Sequence, residues 1–203
     1  ITPFIGFAGN IGSGKTTFTR FISKSQNWIP FYEPVSDNPY LEDFYNDMPR
    51  WSFNLQVYFL HKRFEMHKKM SQMKMGVVQD RTIFEDKEIF AKNLYEMKKI
   101  SQRDWENYSG LFASMVSFLK KPDLVIYLKA STDILLKRIQ SRNRDFEKNV
   151  DPGYIRTLNV AYDRWVEKEK RYPIIIINTD NFNIYKDQQS FKKIEKKILK
   201  TLL

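Results

Sequence analysis

The residues Phe4-Ile5-Gly6-Phe7-Ala8 run straight into Gly9-Asn10-Ile11-Gly12-Ser13-Gly14-Lys15-Thr16-Thr17, which carries the spacing G-x-x-x-x-G-K-[ST]. An apolar strand, a glycine turn and a helix in that order confine the chain to α/β folds built around a phosphate-binding loop. Glycines at 9, 12 and 14 let backbone N–H groups converge on phosphate oxygens with no Cβ in the way, at the positive end of a helix. Lys15 adds a point charge for the β and γ phosphates. Thr16 offers a hydroxyl of the kind such loops place on Mg²⁺, an ion that takes oxygen ligands and keeps several waters. A nucleoside triphosphate with Mg²⁺ is therefore the expected ligand.

The rest of the chain fits that start. Short β-rich runs at 4–8, 28–32, 77–79, 123–129 and 173–177 alternate with helical patterns, which predicts a five-stranded parallel sheet covered by helices on both faces. Leu124-Val125-Ile126-Tyr127-Leu128 and Ile174-Ile175-Ile176-Ile177 suit strands buried on both sides. Helices are expected near 15–25, 39–46, 50–75, 86–97, 101–119, 131–141, 152–170 and 185–202, with Gly76 ending the third and Pro122 following the fifth. No linker or repeat divides the 203 residues, so a single domain over 1–203 is expected, with its phosphate loop at 9–16. The absence of Cys excludes disulfides and thiolate metal sites. No apolar run approaches 18 residues and no signal-like start is present, so a cytoplasmic location is expected, with a few residues ahead of Ile1.

A net charge of +10 suits nucleic acid, an anionic membrane or polyanionic small substrates, and does not choose among them. Much of the excess lies between Lys62 and Lys74 and in Lys192, Lys193, Lys196, Lys197 and Lys200. In the tail, Phe191, Ile194, Ile198 and Leu202 recur at helical spacing. That pattern predicts a terminal helix packing an apolar stripe and solvating its lysines.

Ligands of such sheets sit beyond the C-terminal strand ends, where Gly9, Glu33, Asp80 and Lys129 are expected to cluster. Glu33 closes the second strand, with Pro34 fixing the chain behind it, and Asp80-Arg81-Thr82 closes the third. Phosphoryl transfer needs a group to orient and deprotonate the attacking hydroxyl, a metal to bridge phosphates and cations to absorb charge. Glu33, Asp80 with Thr16, and Arg81 with Lys15 fit those needs. Arg138, Arg142 and Arg144, running into the polar stretch Asn143 to Asn149, read as a lid over about 142–149 closing on phosphates. Gln56, Phe59 and Arg63 share one helix face, and Asp86 and Phe90 another. Together they offer an amide, a guanidinium, a carboxylate and two rings, the parts that hydrogen-bond and stack a nucleobase.

These residues resemble the deoxyribonucleoside kinase family, and within it the bacterial deoxyadenosine/deoxyguanosine kinase branch. The similarity runs through the phosphate loop, Glu33-Pro34-Val35, Leu41-Glu42-Asp43-Phe44-Tyr45, the Gln56 helix, Asp80-Arg81-Thr82 and Asn93-Leu94-Tyr95-Glu96. It continues through Tyr127-Leu128, the stretch from Arg138 to Glu147, and Tyr162 to Glu167. The resemblance implies ATP-dependent 5′-phosphorylation of a deoxynucleoside for nucleotide salvage. It implies Glu33 as general base, Arg81 on the transferring phosphoryl group, Tyr45 and Glu147 on the sugar 3′-hydroxyl, Gln56 reading the base, Phe90 stacking on it and Phe59 lining the pocket. Asp80 stands where the family often has Glu, and the shorter acid serves magnesium through water. A charged pair, Arg63 and Asp86, fills the space where thymidine-type members keep small residues, so adenine, guanine or cytosine is expected over thymine, with deoxyadenosine first. Family resemblance also implies a homodimer on the 50–75 and 101–119 helices and inhibition by an end-product deoxynucleoside triphosphate. No nucleic-acid or membrane partner is expected.

A thymidylate-type monophosphate kinase shares the loop, the Asp-Arg strand end and the arginine lid. Its acceptor is a phosphate, however, and a carboxylate at Glu33 repels a monophosphate while suiting a neutral hydroxyl. A nucleotide-switched regulator or a nucleic-acid-binding ATPase is the alternative of another class. Asn178-Thr179-Asp180 lacks the Lys of a guanine-reading motif and reads as a loop.

Overall fold

A computed structural model of the chain describes residues 2–33, 35 and 37–203. The expected role of Pro34 thus lies outside the described residues. Five parallel strands, β1 (Phe4–Ala8), β2 (Ile29–Phe31), β3 (Val77–Asp80), β4 (Leu124–Lys129) and β5 (Ile174–Asn178), form one sheet in the order β2-β3-β1-β4-β5. β1 is central, pairing with β3 and β4, which are far from it in sequence.

The helices are α1 (Lys15–Gln26), α2 (Leu41–Asn46), α3 (Met48–Ser71), α4 (Ile83–Glu85), α5 (Lys92–Glu96), α6 (Gln102–Val116), α7 (Thr132–Ser141), α8 (Pro152–Lys168) and α9 (Gln188–Leu202). The pleat of the strands sorts them into two layers. Ile5, Phe7, Leu124, Ile126 and Leu128 pack with Phe18 and Ile22 of α1 and Phe191 and Ile198 of α9. Val125 and Tyr127 face the other way, into the larger core with Leu55 and Leu60 of α3, Tyr108 and Phe112 of α6, and Leu158 and Tyr162 of α8. α9 buries Phe191 and Ile198 and leaves its lysines exposed, as its periodicity predicts.

Four expectations need correction. Helix α3 ends at Ser71, capped by Gln72 rather than Gly76. Gly76 serves close approach instead, since a Cβ there would lie 2.6 Å from the Trp28 indole. β5 is an edge strand, and Ile176 is 52% exposed despite the apolar run around it. The expected helix 86–97 starts earlier, at Ile83, and its stretch Asp86–Ala91 is a π-helical turn joining α4 to α5. Finally, the polar stretch after α7 contains a 3₁₀ turn, Asp145–Glu147, with Glu147 buried. Among the described residues, no helix is long and apolar enough to cross a membrane.

Candidate active site

Register brings the strand ends level: Phe7 of β1 lies opposite Asp80 of β3, so the chain leaves β1 into the glycine loop beside the Asp80-Arg81 turn. Gly9, Gly12 and Gly14 have φ of +151°, +85° and +97°. At Gly9 a side chain is excluded twice, by backbone shape and because a Cβ would come within 2.8 Å of the Leu128 carbonyl oxygen. Gly14 caps α1 in the left-handed conformation, and among the described residues no side chain caps the first N–H groups of the helix. Those amides and the helix dipole make an anion site of the helix start.

A cleft of about 400 Å³ opens over this loop. Ile11, Gly12, Gly14, Lys15, Thr16 and Thr17 line one side, with Glu33, Asp80 and Arg81 beside them. Tyr45, Gln56, Phe59, Asp86 and Phe90 line the far end, and Arg138, Arg142, Arg144 and Glu147 border it. Gly9, Asn10 and Ser13 do not line it, although Asn10 and Ser13 are buried in the loop. Asn10 ties the loop to α8, its Nδ2 donating to the Ile155 carbonyl at 2.9 Å and to Asn159 Oδ1 at 2.7 Å. Lys129 is not in the cluster expected of it. It pairs with Asp163 of α8 at 2.8 Å, because the side chain at the end of β4 turns away from the loop.

Charge is concentrated where water is not. Glu33 Oε1 accepts from Arg81 Nη1 at 2.6 Å and from Arg63 Nη2 at 2.7 Å. Burial alone would raise the Glu33 pKa, but Arg81, Arg63 and Lys15 overcome it and pull the carboxyl down to about 2. Lys15 is also buried, and burial aided by Arg81 lowers its pKa to about 8 against the pull of Asp80, Glu33 and Glu85. Its Nζ donates to the carbonyls of Gly9 at 2.9 Å and Asn10 at 3.0 Å. Arg81 has φ +65°, a costly conformation for a residue with a side chain. The turn is held by Arg81 N donating to Phe7 O and by Arg63 Nη1 donating to Arg81 O, both at 2.9 Å. The Arg81 guanidinium stacks 4.1 Å over the Phe90 ring.

The residues for a metal fit Mg²⁺. Thr16 Oγ1 donates to Asp80 Oδ2 at 2.5 Å, whereas Asp80 Oδ1 is buried without a partner among the described residues. One carboxylate and one hydroxyl facing a phosphate loop are a donor set this ion accepts, the phosphates supplying further oxygens. Burial raises the Asp80 pKa, with Lys15 opposing and Glu33 adding to it.

At the far end, Gln56 is 2% exposed and its Oε1 has no partner among the described residues. Asp86 sits at the start of the π-helical turn, which aims both Asp86 and Phe90 at the cleft. Burial pushes the Asp86 pKa up to about 7 against the charge of Arg63. Arg63, expected to face a base directly, lies behind the cleft wall, fully buried. Its two Nη atoms already donate, Nη2 to Glu33 and Nη1 to the Asp80 and Arg81 carbonyls, while Nε lies 2.6 Å from Asp86 Oδ2 in an ion pair off the hydrogen-bond line. Tyr45 and Glu147 both line the cleft, where burial and the Glu147 charge raise the tyrosine pKa. Glu147 is gripped by Arg142 through two hydrogen bonds, one of them 2.6 Å from Nε, and approached by Arg144 at 3.8 Å. Arg138 instead reaches Thr179, whose hydroxyl accepts at 3.1 Å, and Asp180 accepts from the Ser131 N–H at 2.7 Å. The loop after β5 thus braces α7, a role its sequence did not announce.

Glu85 was also missed. It is fully buried, and the capping-box spacing from Thr82 is the signal that could have found it.

A parallel sheet with a phosphate loop at the end of its central strand, an Asp-Arg turn beside it and a polar cleft beyond defines a P-loop kinase. A family profile described as deoxynucleoside kinase matches residues 5–203. A deoxyadenosine kinase of Dictyostelium discoideum is 41% identical over 179 residues, 88% of this chain and 73% of that protein. A deoxyadenosine/deoxycytidine kinase of Bacillus subtilis is 35% identical over 192 residues, covering 94% and 88%. The structure of deoxyadenosine kinase from M. mycoides with bound dATP superposes with a TM-score of 0.84 at 30% identity, covering 95% of this chain and 98% of that one. The chain belongs to the deoxynucleoside kinase family. ATP is accordingly its phosphate donor, and Mg²⁺ the ion that accompanies it.

Proposed function

We propose that the chain, as one domain over 1–203, transfers the γ-phosphate of ATP to the 5′-hydroxyl of deoxyadenosine, with deoxyguanosine and deoxycytidine as lesser substrates. The observation that carries this reading is Glu33, an ionised acid facing the phosphate loop between two arginines. A hydroxyl acceptor can donate to that acid, whereas a monophosphate would be repelled by it. With a pKa near 2, Glu33 orients the hydroxyl and takes its proton late, as suits a loose transition state in which the nucleophile is little deprotonated. Arg81 and Lys15 neutralise charge on the transferring group. Thr16 and Asp80 would hold Mg²⁺, which supplies charge neutralisation on the β and γ phosphates when bound.

Base choice rests on Gln56 and Asp86, with Arg63 holding Asp86 from behind. The unpartnered Gln56 oxygen and the Asp86 carboxylate both accept, which suits an exocyclic amine. Thymine has no such amine, and leaving these buried groups unpaired supports rejection by up to about 10⁴-fold. Tyr45 and Glu147 hold the sugar, Phe90 and Phe59 the base, and Arg138 of α7 with Arg142 and Arg144 of a lid over about 142–149 the donor phosphates. The dATP bound to the M. mycoides enzyme supports end-product inhibition here, by a triphosphate spanning loop and base pocket. We place the enzyme in the cytoplasm, as a homodimer.

Initial rates with ATP and Mg²⁺ against the four deoxynucleosides, adenosine and dTMP test the reading. Deoxyadenosine leads and thymidine stays near background. Turnover of dTMP alone overturns the role of Glu33.

A further inference from the structure

Glu85 is a fully buried carboxylate that this mechanism leaves idle. Its two oxygens take four donors: Oε1 accepts from Thr82 N at 2.8 Å and Thr82 Oγ1 at 3.2 Å, and Oε2 from Tyr162 O–H at 2.7 Å and Gly9 N at 3.3 Å. Of these, only the bond from Thr82 N belongs to an ordinary capping box. The second pair crosses the sheet end, to β1's glycine loop and to α8.

We propose that Glu85 is a positioning residue that holds the phosphate loop to the Asp80-Arg81-Thr82 turn. Gly9 is the joint. Its N–H is held by Glu85, and its carbonyl accepts from Lys15 and is approached by Arg81 at 3.5 Å. The other arm runs through Tyr162, which stacks on Tyr127 at 5.5 Å and meets the edge of Phe90 at 6.2 Å, the ring beneath Arg81. Glu85 thus fixes the relative placement of the two cations that grip phosphate, without lining the cleft itself. Burial raises its pKa, and Arg81, the Thr82 amide, Tyr162 and Lys15 oppose that rise and favour the ionised form.

A glutamine tests this by its shape. With its amide oxygen toward Thr82, its NH₂ group faces Tyr162 and Gly9. The Tyr162 hydroxyl can turn and accept, but the Gly9 N–H cannot. The damage therefore falls on the phosphate loop.

The proposal rests on the kinase reading, so Glu85→Gln is read in two ways, by steady-state kinetics and by titration with a fluorescent ATP analogue in the absence of any acceptor. A hydrogen bond to a charged group is lost, and the expected result is a rise of about tenfold in KM for ATP and in analogue Kd, with a similar loss of kcat. KM for deoxyadenosine stays within about twofold. Tyr162→Phe, which removes one donor and leaves Gly9 held, shifts the same quantities by about two- to fivefold and decides alone should Glu85→Gln not fold. ATP-side values at the wild-type level, or equal losses for both substrates, overturn the proposal. A wild-type protein that phosphorylates no deoxynucleoside sinks the kinase reading instead, and the ratio of analogue affinities still decides the role of Glu85.

Discussion

Lys15 shows how a single residue's burial becomes a measurable pH dependence. Taken out of water and placed near Arg81, its ammonium loses protons with a pKa of about 8 in the free protein. The charged form is the one that binds phosphate, so kcat/KM for ATP holds below that pH and falls above it, by about tenfold per unit. Bound triphosphate stabilises the ammonium, and the limb in kcat at saturating ATP therefore lies higher. Lys15→Arg is weaker throughout but loses the limb, because a guanidinium keeps its proton. A wild-type kcat/KM profile flat from about pH 7 to about pH 9.5 would rule out this account, since a lysine at the ordinary value of about 10.4 stays mostly protonated over that range and one at about 8 does not. Residues of this kind were legible: Lys15 opens α1 behind the glycine loop, Glu33, Asp80 and Arg81 stand at or just past strand ends, and both kinds of place can be read from glycine spacing and apolar runs. Arg63 was only half legible. Helical spacing put it on the face of Gln56, but nothing in spacing says that both its Nη atoms donate to Glu33 and two carbonyls before any ligand arrives.

At the scale of elements, the reading failed where hydrogen-bond register or strand order decides. Four isoleucines in β5 look like a central strand, yet β5 pairs only with β4, and which strand lies at an edge is a property of the whole sheet. The π-helical turn at Asp86–Ala91 shares the composition of a helix, and packing against α3, α6 and α8 settles its wider register. Gly76 gives a test of the corrected view. It ends no helix, its carbonyl accepts from Ile29 N at 2.9 Å, and it leads into β3 at the sheet end opposite the cleft. Gly76→Ala forces its new methyl group against Trp28 and costs about 1–3 kcal/mol. In a chain this long that lowers Tm by about 2–4 °C per kcal/mol, seen by calorimetry, with kcat of the folded protein unchanged. A Tm equal to wild type would mean that Trp28 yields freely and that Gly76 is there for another reason.

For the whole molecule, two neighbouring helices of the larger layer, α3 and α6, leave apolar side chains incompletely covered. α3 and α6 pack together, and each turns a second row outward: Phe53, Val57 and Phe64 on α3 are only partly covered, and on α6 Leu111 is 44% exposed, with Phe118 just beyond it at 83%. Scattered apolar residues are ordinary on a surface, but rows at helical spacing on neighbouring helices are the form a bundle interface takes. A two-fold axis over α3 and α6 would let each patch cover its copy, and α3 also supplies Gln56 and Arg63 to the cleft, so pairing would stiffen the wall that reads the base. Sedimentation at micromolar concentration is expected to give twice the chain mass. Leu111→Glu with Phe118→Asp is expected to halve it, because charges desolvated at such a seam lack partners. KM for deoxyadenosine then rises more than KM for ATP, since the phosphate loop is anchored on β1 and α1 instead. A wild-type monomer, or a double variant still sedimenting as a dimer, would remove α3 and α6 as the seam.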